Sequence, residues 1–450
     1  MINLISTMRH SLNRMFGLML LTVLIAPAHA AIDGITGTNF SFSASEGYIY
    51  TPDGDSLLVW GYAPGNGIMQ YPGPTMIINQ GDTVNVTLSH DLPFNTADPV
   101  SIVFPGQENV TATGGVVGDL TREALPGNPV TYSFTAGEAG TYMYHSGSNP
   151  DLQIEMGLVG TIIVRPPVAK QAYNHPDTAY DYEYLFLLTE MDPAIHYAVE
   201  WGEVVDNTSY KPVLWFINGR NGPDTMADAN TPWLPHQPYN SLPRVHPGDK
   251  ALMRVVVAGR DLHPFHTHGN HFSLIARDGR LLESAPGSGA DLSREDFTLQ
   301  SIPGATFDAI WNWTGVQMGW DVFGDPKIDP ALAHSCSNAS CPDTDGNGFN
   351  DSTGVACFDA ATREYCPDHG KDFPVIMAEL QDQTFGGFYS GSPFFGAFGD
   401  LPPGEGGLNL NGGMFYMWHS HTEKEIVNND IFPGGMLTMM IVEPVGVPIE

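Results

Sequence analysis

The chain reads as an all-β protein of the sandwich or barrel kind. Runs of roughly five to eight residues alternate apolar with polar side chains, and Gly, Pro, Asn and Asp break them at short intervals. No long segment repeats its apolar residues with the helical period of about 3.6. From Ala31 to Pro167 the runs are YIYTPDG, SLLVWGYA, PGPTMIINQGDTVNVTLSHDL, VTYSFTAGEAGTYMYHSG and LVGTIIVRPP, which predict short strands in an antiparallel arrangement. After a polar join at 168–182 the pattern resumes in EYLFLLTEMD, VLWFINGRNGPDT, PYNSLPRVHPGDKALMRVVVAG, HPFHTHGNHFSLIARDG and TLQSIPGATFDAIWNWTG. Two β domains are therefore expected, at 31–167 and 183–450. The second closes only with GGMFYMWHSHTEKE and GGMLTMMIVEP, so 315–412 reads as an insertion.

The first thirty residues carry the marks of an export signal. Arg9 and Arg14 precede the apolar run FGLMLLTVLIAP, and Ala28-His29-Ala30 is a small-x-small cleavage site. An uncleaved anchor is the alternative. Without a twin-arginine signal, export is expected to precede folding, and any metal to be acquired outside the cytoplasm, whether in periplasm, at the cell surface or in the medium. No other stretch is apolar for long enough to span a bilayer. The chain has 18 Lys plus Arg against 50 Asp plus Glu, and losing the leader's two arginines takes the net charge from -32 to -34. Such acidity argues against nucleic acid or an anionic membrane as partner and favours attraction of cations.

Cys336, Cys341, Cys357 and Cys366 all fall inside the insertion. An even, clustered set in an exported chain predicts two local disulfides with three possible pairings, a cysteine metal site being the rival. Between them runs CPDTDGNGFNDSTGVAC, which places Asp343, Asp345, Asn347 and Asp351 at positions 1, 3, 5 and 9 of a calcium loop. Gly348 stands at the sharp turn, Phe349 offers its carbonyl at position 7, and Gly354 replaces the usual bidentate Glu. The flanking cysteines make it resemble the calcium repeats of thrombospondins. A structural calcium ion is expected, against a turn-rich acidic loop that binds nothing. The glycine-, proline- and phenylalanine-rich tail TFGGFYSGSPFFGAFGDLPPGEGGLNLNGG is expected to be an irregular loop, either a cover for the site or an ordinary packed segment.

The chemistry concentrates in HPFHTHGNHF, from His263 to Phe272, and in MWHSH. Alternation around Thr267 puts His266 and His268 on one face of a strand, and His419 and His421 repeat that spacing. Two pairs of imidazoles at such spacing predict a shared metal ion, hydrogen-bonded core histidines being the alternative. Imidazole suits copper, zinc, iron or nickel, with copper favoured by intrinsic affinity and zinc its competitor.

PGPTMIINQGDTVNVTL, GTYMYHSG and GLVGTIIV together resemble the first cupredoxin domain of the multicopper oxidases and of the related copper nitrite reductases. HPFHTHG and HSH resemble that family's third and fourth copper-binding segments. The resemblance implies two cupredoxin-like Greek-key domains, with His263 as a type 1 copper ligand and His266, His268, His419 and His421 as ligands of the type 2/type 3 cluster. Asn270 replaces a histidine common there, with His271 one place on. The departures are specific. Ser420 stands where the family has its cysteine and Glu425 where another type 1 histidine is expected, although Met436 could fill the axial place. In the first domain VFPG replaces HWHG, so Val103 and Pro105 stand for two ligands, while YHSG keeps His145 and puts Gly147 for its partner. A histidine-bound copper without a blue site is implied, oxidising a small reductant or metal ion with oxygen as acceptor. A non-catalytic copper-binding, storage or delivery protein, or a surface structural component, is the alternative. Two-domain relatives form trimers with the cluster between subunits, so the resemblance implies a homo-oligomer, with His145 meeting the other histidines across an interface either within one chain or between chains.

Glu423 and Glu425 are candidate proton donors or partners of ligating imidazoles, against solvated turn residues. Met414, Met417, Met436, Met439 and Met440 read as core in alternating strands rather than a copper-collecting cluster. Ser146 and Ser420 lack the GxSxG context of a hydrolase nucleophile.

Overall fold

The structure is a computed structural model describing residues 32–93, 98–316, 336–367, 411 and 413–449. The segment expected to be an export signal and nearly all of the glycine-rich tail lie outside the described residues. Residues 32–165 build two principal sheets. One has the order Ile35–Thr36, Met76–Asn79, Val159–Arg165, Gly140–His145; the other runs Ser56–Pro64, Asn39–Tyr50, Thr83–His90, Val130–Thr135, Thr111–Gly114. Alternation does what the sequence requires of it: in TVNVTLSH, Val84, Val86 and Leu88 are buried and the residues between them are not. These side chains meet Phe42, Tyr62, Ile78, Ile162 and Val164 in one apolar core.

The second half repeats the plan with a larger sheet, in which Leu214–Ile217, Tyr182–Met191, Lys250–Val257, Thr306–Asn312 and Phe272–Arg277 follow one another. Facing it is the sheet Arg244–Val245, Leu437–Val442, Met414–Ser420, Phe265–Thr267, Thr298–Leu299. Phe186, Val255, Trp311, Tyr416 and Trp418 fill the space between. Strand Leu437–Val442 is buried throughout because a core lies on each side of it, Met440 and Val442 on one and Leu437, Met439 and Ile441 on the other. The terminal methionines are packing residues.

The sheets are mixed rather than antiparallel. Asn39–Tyr50 pairs parallel with Thr83–His90, Met76–Asn79 with Val159–Arg165, and Tyr182–Met191 with Lys250–Val257. Side-chain alternation reports which face is buried, not the direction of the neighbouring strand, so the sequence carried no signal for these pairs. The disulfides are nested, Cys336–Cys366 around Cys341–Cys357. This unit docks on the second half through Tyr365 N–H to the Thr314 carbonyl at 2.7 Å and through Arg363 to Asp249 at 2.7 Å.

A buried charge network ties the two halves. Arg254, wholly inaccessible, donates from Nε to Glu183 at 2.9 Å and from Nη1 to Thr141 at 2.9 Å. Thr141 belongs to the first half and donates in turn to Asp308 at 2.6 Å, while Arg165 closes on Glu183 from the same side. Removing one partner of such a network leaves uncompensated buried charge. Arg254→Met should therefore lower unfolding stability by about 3–5 kcal/mol in denaturant titration, because Asp308 would lose its buried cation and Glu183 would keep Arg165 alone.

Candidate metal centre

The two histidine pairs lie on neighbouring strands. Phe265–Thr267 runs antiparallel to Met414–Ser420 with His266 directly opposite His419, Phe265 opposite Ser420 and Thr267 opposite Trp418. Because Phe265 and Trp418 pack into the core, the histidines between them must emerge on the other face. After His268 the chain turns away at Gly269, whose φ of 90° and close approach to the Tyr416 ring leave no room for a Cβ.

The result is a nest of four rings. Centroids lie 4.5 Å apart for His266 and His268, 4.8 Å for His266 and His421, 5.5 Å for His266 and His419, and 5.3 Å for His268 and His419. Ligand nitrogens of His266, His268 and His419 all fall within 4.8 Å of one another, and Nε2 of His268 and His419 face each other at 3.1 Å. The other nitrogens have partners: Nδ1 of His419 donates to the Ser420 carbonyl at 2.7 Å, and Nδ1 of His266 lies 2.6 Å from the Thr298 hydroxyl. Such bonds fix the ring and turn Nε2 toward the centre. Burial, reinforced by the neighbouring His419 and His421, lowers the His266 pKa to about 4, and burial likewise depresses His419. His266 and His419 are therefore neutral near pH 7, with lone pairs available to a cation. This donor set fits copper. His421 is half exposed and holds Glu423 at 2.9 Å through Nδ1.

The remaining expected ligands are elsewhere. His263 is fully buried with both nitrogens engaged, Nε2 at 2.7 Å from Glu190 Oε2 and Nδ1 at 2.9 Å from Glu425 Oε2. Both nitrogens of His263 thus face carboxylates, one from each of two distant stretches of the chain. The Met436 side chain lies in the apolar core, and its backbone links Ser420 to Glu425. His145 sits in the first half, opposite Val159, with Nδ1 on the Ser146 carbonyl at 2.9 Å, the same bond that His419 makes. Val103 bridges to His145, and a Cβ on Gly147 would come within 2.7 Å of the Val103 side chain. The two residues standing in for ligands thus fill each other's space.

In the insertion, carboxylate oxygens of Asp343, Asp345 and Asp351 fall within 4.8 Å of one another. Asp343 also accepts from the backbone of Gly346, Asn347 and Gly348, and Asn347 bonds Asp345. Phe349 pairs with Ala356 across the loop.

Sequence reasoning missed Glu190 and Thr298. Glu190 closes the apolar run EYLFLLTE, and an acid inside a buried strand was the available signal. Its carboxylate also accepts from the Arg260 and Asp261 amides. Burial alone would lower the pKa of His263, but the bonds and charges of Glu190 and Glu425 outweigh it and raise the value from 6.5 to about 9. A raised histidine pKa stabilises the fold fully below the unfolded value and loses that contribution as pH climbs through the folded one. Melting temperature should accordingly fall between pH 6.5 and about 9. His263→Gln should start lower and lack that slope when melting is followed by calorimetry across the same range.

The multicopper oxidase family model matches residues 58–169. A laccase of Aspergillus fumigatus is 39% identical over 99 residues, covering 22% of this chain and 16% of the relative. An L-ascorbate oxidase of Cucurbita maxima is 32% identical over 180 residues, covering 38% of this chain and 28% of the relative. The chain thus matches less than a third of the length of either. Among solved structures, a blue copper oxidase from Nitrosomonas europaea superposes over 89% of this chain and 85% of its own, with a TM-score of 0.51 and 19% identity. The multicopper oxidase mgLAC covers 92% and 87%, with a TM-score of 0.52 and 18% identity. Residues 58–169 thus match the multicopper oxidase family model, and the chain as a whole shares the cupredoxin-like fold of those solved structures.

Proposed function

We propose that this protein is an exported copper-dependent oxidoreductase whose centre is held by His266, His268 and His419, with His421 at its open edge. The carrying observation is the register that sets His266 against His419. Three nitrogens within 4.8 Å of one another, with His266 and His419 kept neutral by burial, suit one or two ions. Copper at such a centre would supply one-electron exchange between a small reductant or metal ion and oxygen. The chain's own part is to hold the rings and to handle protons.

Ser420 offers no thiolate, and His263 is committed to two carboxylates, so no blue relay connects a distant surface to the centre. Substrate would have to approach the rings themselves. His421 and Glu423 stand at the exposed side, 2.9 Å apart, and are the groups placed to take up or release a proton there. Glu425 is buried against His263 and serves no such role directly. By family resemblance, His145 would join from a neighbouring copy in a trimer.

A second reading is favoured by one observation, the mutual packing of Val103 and Gly147 where the family would place ligands. It makes the protein a copper-binding, storage or delivery module without turnover. Metal analysis and oxygen uptake with phenols, Fe(II) and Cu(I) distinguish the two. The oxidase reading expects bound copper, turnover and no intense blue band, with both copper and turnover abolished in the double variant His266→Ala, His419→Ala. Copper content unchanged in that variant would falsify the assignment, and copper without turnover leaves the binding module.

We also propose structural calcium at Asp343, Asp345, Asn347, Asp351 and the Phe349 carbonyl, supported by the convergence of the three carboxylates. Calcium should raise the melting temperature and a chelator reverse it, and Asp343→Ala should remove the response; a wild-type melting curve indifferent to calcium counts against the site.

A further inference from the structure

Each ligand-bearing segment of the second half carries one member of a buried ion triad. His263 stands three residues ahead of His266, and Glu425 four residues beyond His421. Their side chains meet at 2.9 Å, and the far nitrogen of His263 meets Glu190 at 2.7 Å. All three side chains are shielded from solvent, at 0%, 2% and 0% exposure for His263, Glu425 and Glu190. We propose that this triad is a cross-tie that positions the two segments against each other, with His263 and Glu425 acting as positioning residues for a centre they do not touch. The inference rests on the copper reading given above.

The geometry supports a tie rather than incidental pairing. The His263–Glu425 bond joins the first segment to the turn Glu423–Ile426 that directly follows the second. Backbone bonds run alongside it: His421 N–H to the Pro264 carbonyl at 2.8 Å, Ser420 N–H to Met436 at 3.0 Å, and Met436 N–H to Glu425 at 2.7 Å. The root of the tie is fixed. Glu190 lies at the end of strand Tyr182–Met191 and accepts from the Asp261 amide at 2.9 Å. The Tyr210 hydroxyl stands 3.0 Å from it and 3.1 Å from Glu155 of the first half. One imidazolium between two carboxylates forms two charge-assisted bonds in a medium of low dielectric, where such bonds resist displacement. Neutralising one carboxylate would loosen the turn that follows His421 and shift the register-bearing end of the strand before it.

Supporting groups of this kind change metal affinity without being ligands, by about 10–100-fold on substitution. Glu425→Gln should weaken Cu(II) binding, measured by competition with a chelator, by about 10-fold or more. It should also change the copper hyperfine pattern in electron paramagnetic resonance, which a loss of global stability alone would not do. In the metal-free protein the same variant should move the imidazole nitrogen resonances of His266 and His419. Glu425→Asp, which keeps the charge but draws it back from Nδ1, should act in the same direction and serves if the Gln variant does not fold. Wild-type protein that binds no Cu(II) overturns the copper reading, and the metal-free resonances then decide the tie. Unmoved resonances, or unchanged affinity and hyperfine pattern in a folded variant, overturn the cross-tie.

Discussion

The pairing of Phe265–Thr267 with Met414–Ser420 is the constraint on which the rest depends. Side chains on a strand alternate between faces, so slipping this pair by one residue would bury the imidazoles and expose the core. The register is held from behind. Trp418 packs against Phe186 and Trp311 and donates its indole N–H to the His268 carbonyl, while Phe265 lies against Phe186. Apolar packing that has nothing to do with metal chemistry therefore decides where four imidazoles point. The centre is a consequence of how the second core is filled.

Much of this was legible in the residues themselves. His266 with His268, and His419 with His421, announce shared faces through their spacing, because the period of a strand is fixed by covalent geometry. The meeting of the two pairs was not legible, since it depends on two strands separated by a disulfide-bonded insertion. Glu190 escaped for the same reason: it lies 73 positions from His263, and nothing local marks their contact. The partners of His263 were hidden in the same way: HPFHTHG marks its place among the histidines, but the two acids that hold it come from other parts of the chain. The cysteine pairing, open among three possibilities, is likewise settled only by three-dimensional proximity.

Two further positions are settled by packing and charge. In the first half a Cβ on Gly147 would meet the Val103 side chain, and Nδ1 of His145 lies on the Ser146 carbonyl. In the second half the buried His263 imidazole is held between the carboxylates of Glu190 and Glu425. A buried ionisable group is tolerated where partners of opposite sign meet it.

The nested cysteine bridges carry a consequence for how the chain meets proteases. Asp343, Asp345 and Asp351 all lie inside the inner bridge, Cys341–Cys357, which the outer bridge encloses in turn. A single cleavage anywhere in the acidic loop would leave both new ends covalently attached to the body of the molecule. Strand Met414–Ser420, which follows in the chain, would stay tethered beside its partner, and the cut would become visible only after reduction.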